Sequence, residues 1–327
     1  MPGITMLCRR FAPVAICLAA MFSAALPAHA QGYPSRPVRM VVPFPPGGVS
    51  DVLARILQPK FSEFLGQPVV IDNKGGAGGT IGAAEAAKAA PDGHTIMIVA
   101  DPYAVMNHLY AASPPIFSAF EHVVMMTTSP GLLVAATSFA PNSVSELITA
   151  AKAGTGAVTY ATPGAGSFNH LGALLLEQAA GVHMTHVPYK GGAPMVQAML
   201  GGQVNIMFTS ASLVMRHVKA GKLKPLAVGS RRLMAQLPDV PALSETFPGI
   251  QMQAWSGIIA PAGIPREASS RIHRDILRTL ADPEVRRRLT EGEFEVAGGT
   301  PEEFLSFVRG EFDKLGKVIR DNGIKVD

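Results

Sequence analysis

Apolar residues along the chain fall into two recurring patterns. Short runs rich in β-branched residues alternate with stretches in which apolar positions return every three or four residues, the periods of buried strands and amphipathic helices. Val38 to Val42 (VRMVV) is the first run, and it predicts a strand. It breaks on Pro43, Pro45, Pro46, Gly47 and Gly48, after which Val52, Leu53, Ile56 and Leu57 return at helical spacing. Ser50 or Asp51 is the predicted cap of that helix. Pro59 removes one backbone bond and is predicted to kink or divide the helix near Arg55, and Gly66 ends it. A second strand is predicted over 68–72 and a third over 95–100, with the Gly-rich turn 74–82 and a helix over 83–90 between them. Strand, helix, strand, helix, strand predicts a parallel, doubly wound sheet.

The same alternation resumes near residue 135. An apolar strand pattern over 125–137 is interrupted at Pro130-Gly131, and Ser143 to Glu146 reads as a capping box. Strands are predicted over 157–161, near 186–187, over 204–208 and over 226–228, with helices over 169–180, 194–200 and 212–220. Thr162 to Ser167 is a third Gly-rich turn, placed like the first. The apolar strand 253–261 and three capped helices, after Pro265, Asp282 and Thr300, complete the chain. The 125–137 and 253–261 segments each end in a Pro turn before a capped helix. Read as two crossovers, they build one lobe from both chain ends and another from the middle, joined by a two-strand hinge. The Gly-rich turns then face each other across a cleft, beyond the carboxyl ends of the strands, where open α/β sheets take ligands.

Composition changes this picture at the N-terminus. Arg9-Arg10, the apolar stretch 11–26 and Ala28-His29-Ala30 read as a cleavable export signal with cleavage near Ala30. Its apolar part is shorter than the roughly 20 residues of a spanning helix. Cleavage leaves 297 of 327 residues, a length that favours two lobes over one core. Both cysteines, Cys8 and Cys17, leave with the signal, so no disulfide is expected. Losing Arg9 and Arg10 takes the balance of 28 basic and 24 acidic residues from +4 to +2, which gives no argument for nucleic acid or an anionic membrane. A soluble periplasmic monomer, with no membrane insertion of the mature chain, is the expectation.

The sequence shows no nucleophilic or metal chemistry. Ser167 follows Gly164-Ala165-Gly166 in the wrong order for a nucleophile elbow, and His170, three residues on, has no orienting acid. His183 and His186 lack a third ligand at a metal spacing, and no carboxylates pair for acid–base work. Gly76 to Gly82, with Asp101 ending the next strand, is the one enzyme-like pattern, a dinucleotide loop with its ribose acid; Ile81 holds the place of the third glycine. What remains is anion capture. Each Gly-rich turn opens a helix whose first N–H groups are free and whose dipole is positive at that end. Ser50, Asn73, Thr162, Ser167 and Ser210 stand within or near these turns. The same corners equally serve as ordinary β–α connections, and each hydroxyl as a local cap.

Five segments in this order resemble one family: YPSRPVRMVVPFPPGGVSDVLAR (33–55), LGQPVVIDNKGGAGGTIGAAEAAKAAPDGHTI (65–96), HVPYKGGAPMVQAMLGGQVNIMF (186–208), LPDVPALSE (237–245) and WSGIIAPAGIP (255–265). The family is that of the periplasmic substrate-binding receptors of tripartite tricarboxylate transporters, the Bug-type receptors. The resemblance implies an α/β, two-lobe type II periplasmic-binding fold, each lobe a mainly parallel sheet flanked by helices. The lobes correspond to 31–130 plus 256–327, and 131–255. It implies a receptor that uses no cofactor and no catalysis, closing on a small organic acid and delivering it to a membrane permease. The ligand carboxylate is expected between the loop of Phe44, Gly47, Gly48, Ser50 and Asp51 and the loop of Thr162, Gly164, Ala165, Gly166 and Ser167, with His170 also expected to contact the ligand. Further contacts are expected from Asn73, Gly78, Asp101, Lys190, Gly191, Ser210 and Trp255. Two other readings stay open: an exported α/β enzyme or nucleotide-binding protein using Gly76 to Gly82, and a ligand-gated partner of a periplasmic sensor. The chain departs from the family pattern at Pro163, Thr209-Ser210 and Ser256, near the cleft, and at Pro59, which bears on helix shape.

Overall fold

The structure, a computed structural model, describes residues 32–154, 156–230 and 234–326; the expected signal over 1–30 lies outside the described residues. In chain order the first elements are β1 (Val38–Val42), α1 (Val49–Leu65), β2 (Val69–Asn73), α2 (Thr80–Ala87), β3 (Thr95–Ala100), α3 (Pro102–Leu109) and the long β4 (Phe120–Ala136). There follow α4 (Val144–Lys152), β5 (Thr159–Thr162), α5 (Phe168–Ala180), β6 (Thr185–Pro188), α6 (Gly192–Leu200), β7 (Ile206–Ser210), α7 (Ala211–Lys219) and β8 (Leu223–Val228). The chain closes with α8 (Leu243–Thr246), β9 (Gln253–Pro261), α9 (Arg266–Ala281), α10 (Pro283–Glu291), β10 (Glu295–Val296) and α11 (Pro301–Asp321).

The strands form one curled sheet in the order β2-β1-β3-β9-β4-β7-β5-β6, with β8 and β10 both on β4. Strands β1, β2 and β3 run parallel, as do β5, β6 and β7. Each half thus carries a parallel set of three strands, to which β4 and β9 add antiparallel pairs. The two halves meet on β4. Its residues Phe120 to Pro130 pair with β9, and Gly131 onward pairs with β7 and β8. The expected interruption at Pro130-Gly131 is absent; the strand runs through. Proline lacks a donor, and here it falls where the strand changes partners, so that the loss is small.

A second strand of contacts closes the junction. Gly131 N–H donates to the Met252 carbonyl at 3.1 Å, Gly229 N–H to that of Gly131 at 2.7 Å, and Met252 N–H to that of Gly229 at 2.9 Å. A β-carbon on Gly131 would strike the Met252 carbonyl oxygen and the Phe208 ring, so only glycine fits this crossing.

Each half of the sheet is covered on both faces, which is why its strands read as continuous apolar runs. In the first half, Leu53, Leu57 and Phe61 of α1 pack with Ile272 and Ile276 of α9 on one face. Met97, Trp255 and Phe304 occupy the other. In the second half, Leu147 of α4 and Leu171 and Leu176 of α5 cover one face, and Met195, Met199, Val214 and Met215 the other. A buried side chain of this size contributes about 1.5–3 kcal/mol. Helix α11 belongs to both halves: Phe304 and Val308 sit in the first core, Leu315, Val318 and Ile319 in the second.

Local signals account for several helix starts. Ser143 accepts from Glu146 N–H, Asp282 from Glu284 and Val285, and Thr300 with Glu303 completes a capping box. Pro59 is the exception. Helix α1 is continuous from Val49 to Leu65, because its buried stripe on both sides of the proline holds it on the sheet.

Candidate functional site

The first corner follows β1. Gly48, extended at φ −76° and ψ 169°, takes the cap position of α1 in place of the expected Ser50 or Asp51, and no side chain caps there. Asp51 instead reaches back: its carboxylate accepts the Gly47 N–H at 2.9 Å and pairs with Arg55. Asn73, at the end of β2, donates its amide to both the Asp51 carboxylate (3.0 Å) and the Phe44 carbonyl (3.1 Å). Hydrogen bonding from Arg55, aided by Gly47 and Asn73, holds the Asp51 carboxyl below its ordinary range against the effect of burial. Phe44, Gly47 and Gly48 are thus pinned from beneath. Among the described residues, the N–H groups of Val49, Ser50 and Asp51 meet no protein acceptor. These are the orphan donors of a helix start.

The second corner follows β5. Ser167 caps α5 by accepting the His170 N–H, and its hydroxyl donates to the Gly164 carbonyl at 2.7 Å. Thr162, fully buried, accepts from Gly164 N–H at 3.1 Å and meets His186 Nε2 at 2.6 Å. Gly166 N–H donates to His170 Nδ1 at 3.1 Å. The Gly166 backbone is left-handed at φ +71°, and a β-carbon there would strike Leu109. Here too, N–H groups stay without a protein acceptor among the described residues: those of Ala165, Phe168 and Asn169.

Contacts join the corners into one arc. The Phe44 ring and Pro43 lie against Gly79, and Gly78 lies against the Tyr110 ring. Leu109, the next residue back, lies against Gly166. The end of α3 therefore stands between the Gly-rich turn 74–82 and the second corner. The turn of Lys190 and Gly191 adjoins Thr162, whose carbonyl accepts the Tyr189 N–H at 2.8 Å; Lys190 is exposed and Gly191 caps α6. Ser210 holds the cap position of α7 without a side-chain capping bond, its hydroxyl meeting that of Ser212 at 2.9 Å, and Ser129 of β4 accepts the Ser212 N–H at 3.2 Å.

Asp101 and Trp255 bond each other, the Trp255 backbone N–H donating to the Asp101 carboxylate at 3.1 Å. The Trp255 ring is in the core, edge-on to Phe304 and Phe307, and its indole N–H finds no acceptor. The outer edge of Asp101 meets solvent, yet the protein packed around it pushes its carboxyl up to about 8. With Gly78 against Tyr110 and Asp101 engaged by Trp255, the two parts of the dinucleotide pattern serve other contacts. No group of three or more His, Cys, Asp or Glu residues among those described could hold a metal.

Three participants escaped the sequence reading. Leu109 ends, and Tyr110 directly follows, a helix that the pattern after Asp101 does not announce. His186 was weighed only as a metal ligand, yet it stacks on His170 with ring centroids 4.2 Å apart. Chemically, the arc offers two sets of main-chain donors and hydroxyls. Near them the guanidinium of Arg55 is engaged by Asp51. That set suits a carboxylate held by directed hydrogen bonds.

Residues 53–324 match the family described as tripartite tricarboxylate transporter family receptor. Three solved structures are closely similar. The periplasmic binding protein BugD has a TM-score of 0.81 at 33% identity, covering 90% of this chain and 100% of that one. Rpa4515 from R. palustris, solved with adipate, has a TM-score of 0.83 at 31% identity, covering 90% and 100%. MatC from Rhodopseudomonas palustris, with bound malate, has a TM-score of 0.80 at 32% identity, covering 88% and 100%.

Proposed function

This chain belongs to the tripartite tricarboxylate transporter receptor family, a family of periplasmic solute-binding receptors and not of enzymes, and from that premise we propose that it captures one small dicarboxylate between its two halves. The observation that carries the reading is the pair of helix starts. Val49 to Asp51 on one side and Ala165, Phe168 and Asn169 on the other present N–H groups that no protein atom among the described residues satisfies. A carboxylate supplies the missing acceptors, and two corners suit a ligand with an acidic group near each end or one group shared through water. The similar receptors solved with malate and adipate support the chemical class.

In this reading the export signal is removed near Ala30 and the mature monomer acts in the periplasm. Residues 31–130 with 256–327 form one lobe and 131–255 the other, hinged at the Gly131 crossing. Contacts made only when both corners engage the ligand favour the closed form, which a membrane permease then recognises. Calorimetric titration of the mature chain at pH 7 with malate, adipate, citrate, acetate and glutamate tests this. The expected result is one site per chain for at least one dicarboxylate, with Kd on the order of micromolar, about −8 kcal/mol. No binding by any of the five contradicts it.

A further inference from the structure

We propose that His170 and His186 are positioning residues for the second corner, a stacked imidazole pair that fixes from beneath the main-chain donors and the threonine hydroxyl where a ligand carboxylate is held. The inference rests on the carboxylate-receptor reading and adds to it a device that no turn motif announces.

The geometry is specific to each ring nitrogen. His170 Nδ1 accepts the Gly166 N–H at 3.1 Å, so this ring carries its proton on Nε2. Thr162 Oγ1 accepts from Gly164 N–H and donates to the Gly164 carbonyl at 3.3 Å, which leaves His186 Nε2–H as the donor to it at 2.6 Å. The rings stack at 4.2 Å with 15° between planes, and Tyr160 continues the column 5.2 Å from His186. One histidine thus holds the Gly166 end of the loop and the other holds the Thr162 end. Gly166 has little room to adjust, with its left-handed backbone and Leu109 against it.

The Gly166 bond requires a neutral His170, whereas His186 Nε2–H donates in either protonation state. A proton on His170 Nδ1 turns the acceptor into a donor facing the Gly166 N–H. Burial, then the nearby His186, lowers His170 to about 4, and burial lowers His186 as well. The other ionisable groups facing the pair are Tyr160 on β5, Glu177 on α5, His183 after α5 and Lys325 in the C-terminal tail. The last three line a groove of about 710 Å³ together with His170. Glu177 is nearly buried and accepts the Met184 N–H, so it gives His170 no direct counter-ion contact. Because the folded-state values lie below the ordinary 6.5, the latch is complete at pH 7 and is lost as pH falls toward about 4.

Two variants separate positioning from packing. His170→Asn keeps an acceptor near Nδ1 but does not titrate; His170→Phe keeps a ring in the stack but accepts nothing. With malate and adipate as probes at pH 7, His170→Phe is expected to raise Kd about tenfold, the loss of one buried hydrogen bond. His170→Asn is expected to stay within about threefold of the parent. From pH 7 to about 4 the parent should lose about twofold more affinity than His170→Asn, a ratio in which protonation of the probe cancels. Hydrogen–deuterium exchange of the ligand-free chain gives a second readout: residues 164–168 should exchange faster in His170→Phe, and in His186→Phe, than in the parent or His170→Asn. Unchanged affinity and exchange in His170→Phe, or an equal acid loss in His170→Asn, overturns the proposal. If the parent binds neither probe, nor citrate, acetate or glutamate, at pH 7, the carboxylate-receptor reading fails, and the exchange comparison alone decides whether the latch exists.

Discussion

Asp51 shows how one residue can fix a helix-start loop without capping the helix. Its carboxylate is 2% exposed and takes donors from Gly47, Arg55 and Asn73. A carboxylate so engaged has no capacity for a like-charged ligand, but it fixes the loop whose N–H groups face outward. Asp51→Ala is expected to destabilise by about 2 kcal/mol, since it strands several buried donors. The melting temperature should fall by about 4–8 °C, and dicarboxylate affinity should fall with it. Differential scanning calorimetry with titration checks both, and an unaltered melting temperature contradicts this role. The sequence placed Asp51 in the first turn of a helix, although the cap position falls on Gly48 and not on Ser50 or Asp51. It did not reveal the Asn73 amide beneath it as a partner, because that contact spans 22 residues and depends on β1 and β2 lying side by side. Leu109, Tyr110 and the His170–His186 stack were hidden for the same reason.

At the scale of elements, the β–α alternation was legible almost throughout, since burial on both faces writes continuous apolar runs and caps mark several helix starts. What was not legible depends on neighbours. The antiparallel pairs in each half follow from β4 and β9 passing between halves, a topological fact with no local signature. The continuity of α1 through Pro59 follows from the stripe of Leu53, Leu57, Phe61 and Leu65 packed beneath it. Pro59 itself is exposed and leaves the Arg55 carbonyl without its helical donor. Pro59→Ala restores that bond while giving back some unfolded-chain entropy. The expected net is a gain of about 1 kcal/mol, a rise of about 2–4 °C in melting temperature, with dicarboxylate affinity unchanged. A fall in melting temperature would show that the proline fits a bend the helix needs.

At the scale of the molecule, two cores share one sheet through β4, the glycine crossing at Gly131 and Gly229, and helix α11. This plan leaves two helix starts at the carboxyl ends of β1 and β5 and connects them through the end of α3. Net charge contributes little, since the mature chain is expected near +2. Selectivity must then come from the spacing of two sets of main-chain donors and the hydroxyls beside them. The most direct measurement is a crystal structure of the mature chain grown with the dicarboxylate that binds best. The account expects carboxylate oxygens about 3 Å from N–H groups of 48–51 and of 164–169, directly or through one water. A ligand seated elsewhere, for example in the groove along α5, with both corners facing only solvent, would contradict it.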